Sequence, residues 1–231
     1  MIAVILAAGR GTRLGLDIPK ALIEISGKPI IHRQIEQFRK AGINDIIVIG
    51  GYRLDLLRES LRDHKIRLYE NPFYKITDNL VSFYLALKNN YSECVVSHSD
   101  MIFDDDLIEL LLDSDGDVIL PIDAQSMNSE SMKIRLEDGQ VAEVCKNIEI
   151  SDAAGESVPL IRFSKKAVAE IIPRAKYFID AGNHQAYLED VLAESITSGN
   201  TLDYRIADIT GMRWMEIDTS EDLAAARRIF E

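Results

Sequence analysis

The chain has 231 residues, of which 47% are apolar and 28% charged, the balance of an ordinary globular protein long enough to bury a core. Its formal net charge of −12 argues against nucleic acid or an anionic membrane surface as the main partner, since both demand basic patches. A triphosphate bound by such a protein would need local cations of its own.

Cys94 and Cys145 form no CxxC pair and read as free thiols of a reducing compartment. The opening apolar stretch is interrupted by Gly9 and Arg10. It falls well short of the roughly 18 apolar residues of a membrane helix and lacks the basic start of a signal peptide. The expectation is a cytoplasmic protein.

In chain order, residues 2–6 form a continuous apolar run ending in glycines, the pattern of a strand buried on both faces. Shorter strand-like runs follow at 45–49, 66–69, 94–97 and 117–120. Helical periodicity separates them at 30–41, 54–62, 79–89 and 105–112. This alternation predicts an α/β fold, Rossmann-like and doubly wound around a mainly parallel, mixed sheet. Beyond residue 120 the pattern changes. Residues 132–136 and 140–144 flank Asp138-Gly139, a strong hairpin turn signal. A strand at 158–163, helices at 165–172 and 184–197, strands at 202–209 and 213–217, and a closing helix at 220–229 complete a small α+β portion. No linker or repeat interrupts the chain, so one domain over residues 1–231 is expected.

The most informative stretch is Leu6-Ala7-Ala8-Gly9-Arg10-Gly11-Thr12-Arg13, followed by Pro19-Lys20. It lies where open α/β sheets bind ligands, after the first strand. Gly9 and Gly11 let backbone N–H groups approach a phosphate, and Arg13 and Lys20 add full positive charge. A dinucleotide fingerprint fails at Leu14, and a P-loop fails because Gly27-Lys28 is followed by Pro29.

The string L-A-A-G-x-G-T-R with a following P-K resembles the signature of the sugar-1-phosphate and related nucleotidyltransferases. The short interval between Arg13 and Pro19 resembles that of cytidylyltransferases such as those acting on inositol phosphate, and Asp78-Asn79-Leu80 with Ser82 resembles the run in phosphocholine-type cytidylyltransferases. The resemblance implies that residues 6–12 wrap a nucleoside triphosphate and that Lys20 touches its α-phosphate. It implies that Asp100 and Asp218 hold Mg²⁺, with Arg13, Lys20, Asp100 and Asp218 forming the catalytic set. Asp100 ends an apolar run and Asp218 ends Trp214-Met215-Glu216-Ile217. Each could instead cap a helix. His98 is read more readily as an ordered polar neighbour than as a ligand.

Asp78-Asn79-Leu80 and Ser82 occupy the place where the family reads the base, and Asn79 and Ser82 carry the amide and hydroxyl to do so. Lys133 and Lys146 are candidates for the acceptor's phosphate. Tyr187, Glu189 and Trp214 are candidates for an acceptor ammonium group. The expected reaction moves CMP from CTP to a small phosphorylated acceptor, phosphocholine-like or an aminoalkylphosphonate, and releases pyrophosphate. The rivals are a sugar-1-phosphate or inositol-phosphate nucleotidyltransferase and a non-catalytic nucleotide-binding regulator. The expected partners are CTP or another NTP and that acceptor, with a homodimer left open and neither nucleic acid nor membrane.

Overall fold

The structure, a computed structural model, describes the chain from Met1 to Phe230 except Thr12, Arg13, Ser126 and Asn200. The first strand, β1 (Ile2–Ala7), is buried at every position. Ile2, Val4 and Leu6 face one core, while Ala3, Ile5 and Ala7 face another on the opposite side. A strand can bury both faces only in the middle of a layered sheet, which is why its apolar run does not alternate.

A short ribbon, β2 (Glu24–Ile25) and β3 (Lys28–Pro29), leads into helix α1 (Ile30–Lys40). There follow β4 (Ile46–Gly50), α2 (Leu54–Ser60), β5 (Arg67–Glu70), α3 (Asn79–Leu87), β6 (Cys94–His98), β7 (Met101–Phe103) and α4 (Asp106–Asp113). The second half comprises β8 (Val118–Asp123), β9 (Lys133–Glu137), β10 (Gln140–Cys145), β11 (Gly155–Ser157), β12 (Leu160–Phe163), α5 (Lys165–Asp180), α6 (Leu188–Thr197), β13 (Tyr204–Asp208), β14 (Trp214–Glu216) and α7 (Ser220–Phe230).

β5, β4, β1 and β6 pair in parallel. β12 then joins β6 to β8 in antiparallel sense, and β13 adds a parallel strand to β8. β11 continues the edge through β9 to β10. Helices α3, α5 and α6 cover one face, and α1, α2 and α4 the other. A separate ribbon pairs β14 with β7 in antiparallel register, and α7 packs beside it.

Three departures from the sequence-based expectation have clear causes. Helix α5 runs through Pro173 to Asp180 instead of stopping at Ile172. Its buried stripe of Ala167, Val168, Ile171, Ile172 and Ala175 continues across the proline, so packing outweighs one lost hydrogen bond. Helix α6 begins at Leu188 and not at 184, because the Asp190 carboxylate accepts the Tyr187 backbone N–H at 2.7 Å and caps it there. β7 and β11, three residues each, are too short to show a period. The hairpin turn lies where Asp138-Gly139 put it, both residues having positive φ.

Phe83 on α3 meets Phe163 on β12 with ring centroids 5.6 Å apart, both fully buried. Phe83→Ala is expected to cost about 3–5 kcal/mol in urea unfolding, the usual range for such a cavity. Just after α2, His64 lies with its ring centroid 4.6 Å from that of His32 on α1, and its buried Nδ1 has no hydrogen-bond partner. Burial first, then the charges of His32 and Arg39, lower its pKa. The unfolded chain therefore binds the extra proton more readily. The stability His64 contributes is complete above its ordinary pKa and is lost as pH falls below it. His64→Phe is expected to flatten the decline in unfolding free energy between pH 7 and pH 5.

Candidate functional site

Register brings the pieces together before any side chain is considered. Leu6 on β1 lies beside His98 on β6, so the loops leaving both strands emerge side by side. The Ser99 N–H donates to the Leu6 carbonyl at 3.1 Å, fixing the turn that carries Asp100. On the far side of that turn, Met101 pairs with Glu216, and the Ile217 N–H donates to the Asp100 carbonyl at 2.9 Å. The β7–β14 ribbon therefore delivers Glu216 and Asp218 to the same place as Asp100.

Lys20 occupies the point of convergence. Its Nζ donates to Asp100 Oδ2 at 2.9 Å and also pairs with Asp218 Oδ1. Burial alone would lower the lysine pKa, but the two carboxylates more than offset it and the net shift is upward. Gly11 makes room for this: with φ of +60°, a Cβ there would lie 2.6 Å from Lys20 Cγ. Neither aspartate is used up as a helix cap. At α7 the Thr219 and Asp222 side chains cap each other's backbone, at 3.2 and 2.8 Å, leaving the Asp218 carboxylate for Lys20.

His98, Asp100 and Glu216 place ligand atoms within 4.8 Å of one another. Burial disfavours the charged His98 ring, but Glu216, Asp100 and Glu189 override it and push the pKa up to about 9. Asn79 pulls the other way. Its Oδ1 accepts the Leu188 N–H at 2.7 Å, which turns Nδ2 toward His98 Nε2 at 3.1 Å. That contact is favourable only when Nε2 is unprotonated.

Two cavities meet at this wall and share Asn79 and His98. The first is lined by Leu6, Ala8, Gly9, Lys20, Asp100 and the 71–82 segment, including Asp78 and Ser82. Buried Asn71 organises that segment, donating to Thr77 Oγ1 at 3.2 Å and Ser82 Oγ at 3.1 Å. Gly51 lets this segment approach the glycine loop, since a Cβ there would meet Tyr74 Cβ at 2.7 Å and the Ala8 carbonyl at 2.8 Å. The second cavity carries Lys146, Tyr187, Glu189, Glu156, Glu216 and Asp218. Lys146 Nζ sits 5.5 Å from the Tyr187 ring centroid. Glu189 is 7% exposed, and burial raises its pKa against the pull of His98.

Some expected site residues lie elsewhere. Arg13 and Thr12 fall outside the described residues. Ala7 is a buried strand residue of the core, and Arg10 is exposed, 5.7 Å above the Tyr52 ring. Asn79 reaches both cavities but has its carbonyl committed to α6. Lys133 is 1% exposed and points its ammonium at backbone carbonyls of its own loop. Trp214 donates Nε1–H to Asp123 Oδ2 at 2.9 Å and lines neither cavity. Sequence reasoning missed Glu216 and Glu156, since a lone glutamate in a strand carries no signal until its neighbours across the sheet are known.

Residues 3–189 match the model of the MobA-like NTP transferase domain. The chain belongs to this family. The NTP transferase domain is 27% identical to the CTP:phosphoglutamine cytidylyltransferase of Campylobacter jejuni, over 96% of this chain and 98% of that protein. It is 28% identical to the choline-phosphate cytidylyltransferase of Streptococcus pneumoniae, over 100% and 99% respectively. A solved structure of the CTP:phosphocholine cytidylyltransferase from Streptococcus pneumoniae superposes with a TM-score of 0.80 at 25% identity, covering 100% of this chain and 99% of that one. The NTP transferase fold anticipated from the glycine loop is thereby established.

Helix α1 grips the Asp100 turn from behind. Buried Gln34 donates through Nε2 to the His98 carbonyl at 2.8 Å and the Met101 carbonyl at 2.7 Å, bracketing Ser99 and Asp100. Gln34→Leu takes the amide donor from both carbonyls, leaving the Ser97 hydroxyl, at 3.1 Å, as the side-chain donor to the His98 carbonyl, at a cost of about 1–3 kcal/mol. The variant is expected to unfold at lower urea and to turn over at least about tenfold more slowly, a loss of roughly 1.4 kcal/mol in transition-state stabilisation. Denaturation and a pyrophosphate assay on one preparation check both.

Proposed function

We propose that this protein is a Mg²⁺-dependent cytidylyltransferase that moves CMP from CTP to a small phosphorylated acceptor. The observation carrying this reading is the convergence of Lys20, Asp100 and Asp218 beside the wall shared by two cavities. One cavity follows the glycine loop, where a nucleotide belongs. The other is polar and holds Lys146. Two relatives matched along their whole length are cytidylyltransferases of phosphorylated small molecules, which favours CTP over other triphosphates.

The acceptor's phosphate is already ionised at neutral pH and needs no general base. One of its oxygens forms a bond to the α-phosphorus, the bond from that phosphorus to the bridging oxygen breaks, and pyrophosphate departs with the electron pair. The task of the protein is to align the groups and screen their charge. Lys20 lies where developing negative charge on the α-phosphate would be met. Residues 8–11 offer backbone N–H groups to the remaining phosphates, and Arg13 is assigned the same role.

Mg²⁺ fits the donor set. Asp100 and Glu216 place carboxylate oxygens within 4.8 Å of each other and of His98, and Asp100 and Asp218 share the Lys20 ammonium, so positive charge is already stable between those two. When bound, the ion would neutralise phosphate charge and fix its orientation. Cys94 and Cys145 are free thiols, as suits a cytoplasmic enzyme.

Incubating the protein with each NTP, Mg²⁺ and a panel of phosphocholine, 2-aminoethylphosphonate, inositol phosphate and hexose 1-phosphates tests the reaction by pyrophosphate release. CTP with a small phospho-alcohol or phosphonate is the expected pair. Release only with a hexose 1-phosphate would overturn the acceptor assignment, and none with any pair would overturn the reaction. Lys20→Ala and Asp100→Ala are each expected to lower turnover by roughly 10²–10³, the scale of one lost transition-state contact. An unchanged rate in either refutes its role.

A further inference from the structure

Lys133 opens strand β9 and is 1% exposed, so a full positive charge is held inside the protein. Its Nζ donates to three carbonyls of the preceding loop: Ser131 at 3.0 Å, Asn128 at 3.4 Å and Ser129 at 3.5 Å. The loop is wound around the ammonium. The Asn128 N–H donates to Ser131 Oγ at 3.0 Å, and the Glu130 N–H to Asn128 Oδ1 at 2.8 Å. Neutral carbonyls do not cancel the charge, and burying an ammonium is costly compared with a methionine of similar length. A merely structural plug would not need it.

The outer surface of this loop shows what the charge accomplishes. Asn128, Glu130, Ser131 and Met132 form one wall of the second cavity. With the carbonyls of Asn128, Ser129 and Ser131 turned inward to the ammonium, Asn128 and Ser131 are held at the edge of that cavity. Across the ladder Lys133 is paired with Glu156, which lines the same space. The buried ammonium thus supports the wall and supplies a countercharge behind one of its carboxylates.

We infer that Lys133 is a positioning residue for the acceptor: its ammonium acts as an internal cation that shapes the 128–131 wall and sets affinity for the acceptor without touching it. This rests on the cytidylyl-transfer reading of the site and replaces direct phosphate binding by Lys133. Lys146 is left to meet the acceptor.

The test uses the full chain carrying Lys133→Met, with CTP, Mg²⁺ and phosphocholine. We expect the KM for phosphocholine to rise at least about tenfold while the KM for CTP stays within about twofold, equivalent to a loss of roughly 1.4 kcal/mol on the acceptor side alone. Lys133→Arg keeps donors for the carbonyls and should recover most of the loss. It also serves if the methionine variant does not fold. A readout independent of turnover is amide hydrogen exchange, which should quicken at 128–131 and stay unchanged in α3. Unchanged acceptor KM despite faster exchange would overturn the proposal, as would an equal rise in both KM values. Wild-type protein that turns over no CTP at all would refute the reaction instead, a separate result.

Discussion

Two carboxylates, Asp100 and Asp218, are brought to one lysine, and the rest of the molecule can be understood as what holds them there. Like charges at such separation repel, and in a partly buried setting the repulsion is poorly screened. The aspartates tolerate each other because Lys20 sits between them. The same balance makes the place suitable for a triphosphate and a divalent ion: it is a mixed-charge junction in which a cation is already required. In a chain of net charge −12, such junctions must be built locally.

Each partner is fixed by a different part of the fold. The Asp100 turn is tied to β1 through Ser99 and Leu6, to β14 through Ile217, and to α1 through Gln34. Lys20 lies just before the ribbon that feeds α1, so helix and lysine belong to one continuous segment. Gln37 repeats the Gln34 device one turn later, donating to the Phe103 carbonyl at 2.7 Å. Amides at this helical spacing grip a strand that has no sheet neighbour on that side. The wall of Asn79 and His98 then joins the two cavities, because Asn79 is anchored on α6 by the Leu188 N–H.

Much of this was legible in the sequence for identifiable reasons. The double burial of β1 shows as an unbroken apolar run, and the glycine loop shows because Gly11 must accommodate Lys20. Asp100 and Asp218 stand at the ends of apolar runs, where a carboxylate either caps a helix or serves a site. What was not legible depends on register and orientation. Glu216 becomes a site residue only because it lies opposite Met101. Lys133 reads as a candidate for the acceptor's phosphate until its loop is seen to close over it. Helix α5 passes Pro173 because of a buried stripe, one of whose partners, α3, is remote in sequence. Asp218 reads as a candidate helix cap, and only the reciprocal bonds of Thr219 and Asp222 show that the cap of α7 is made by its neighbours.

The separation of Lys20 and Asp218 by 198 positions has a bearing on biosynthesis. As the chain leaves the ribosome, β1, the glycine loop and the Asp100 turn are available long before β14 emerges. Until then Lys20 has one carboxylate partner rather than two, and the β7 edge has no strand beside it. The junction of Lys20 with both aspartates is therefore completed by a late docking event, after most of the core has had time to form.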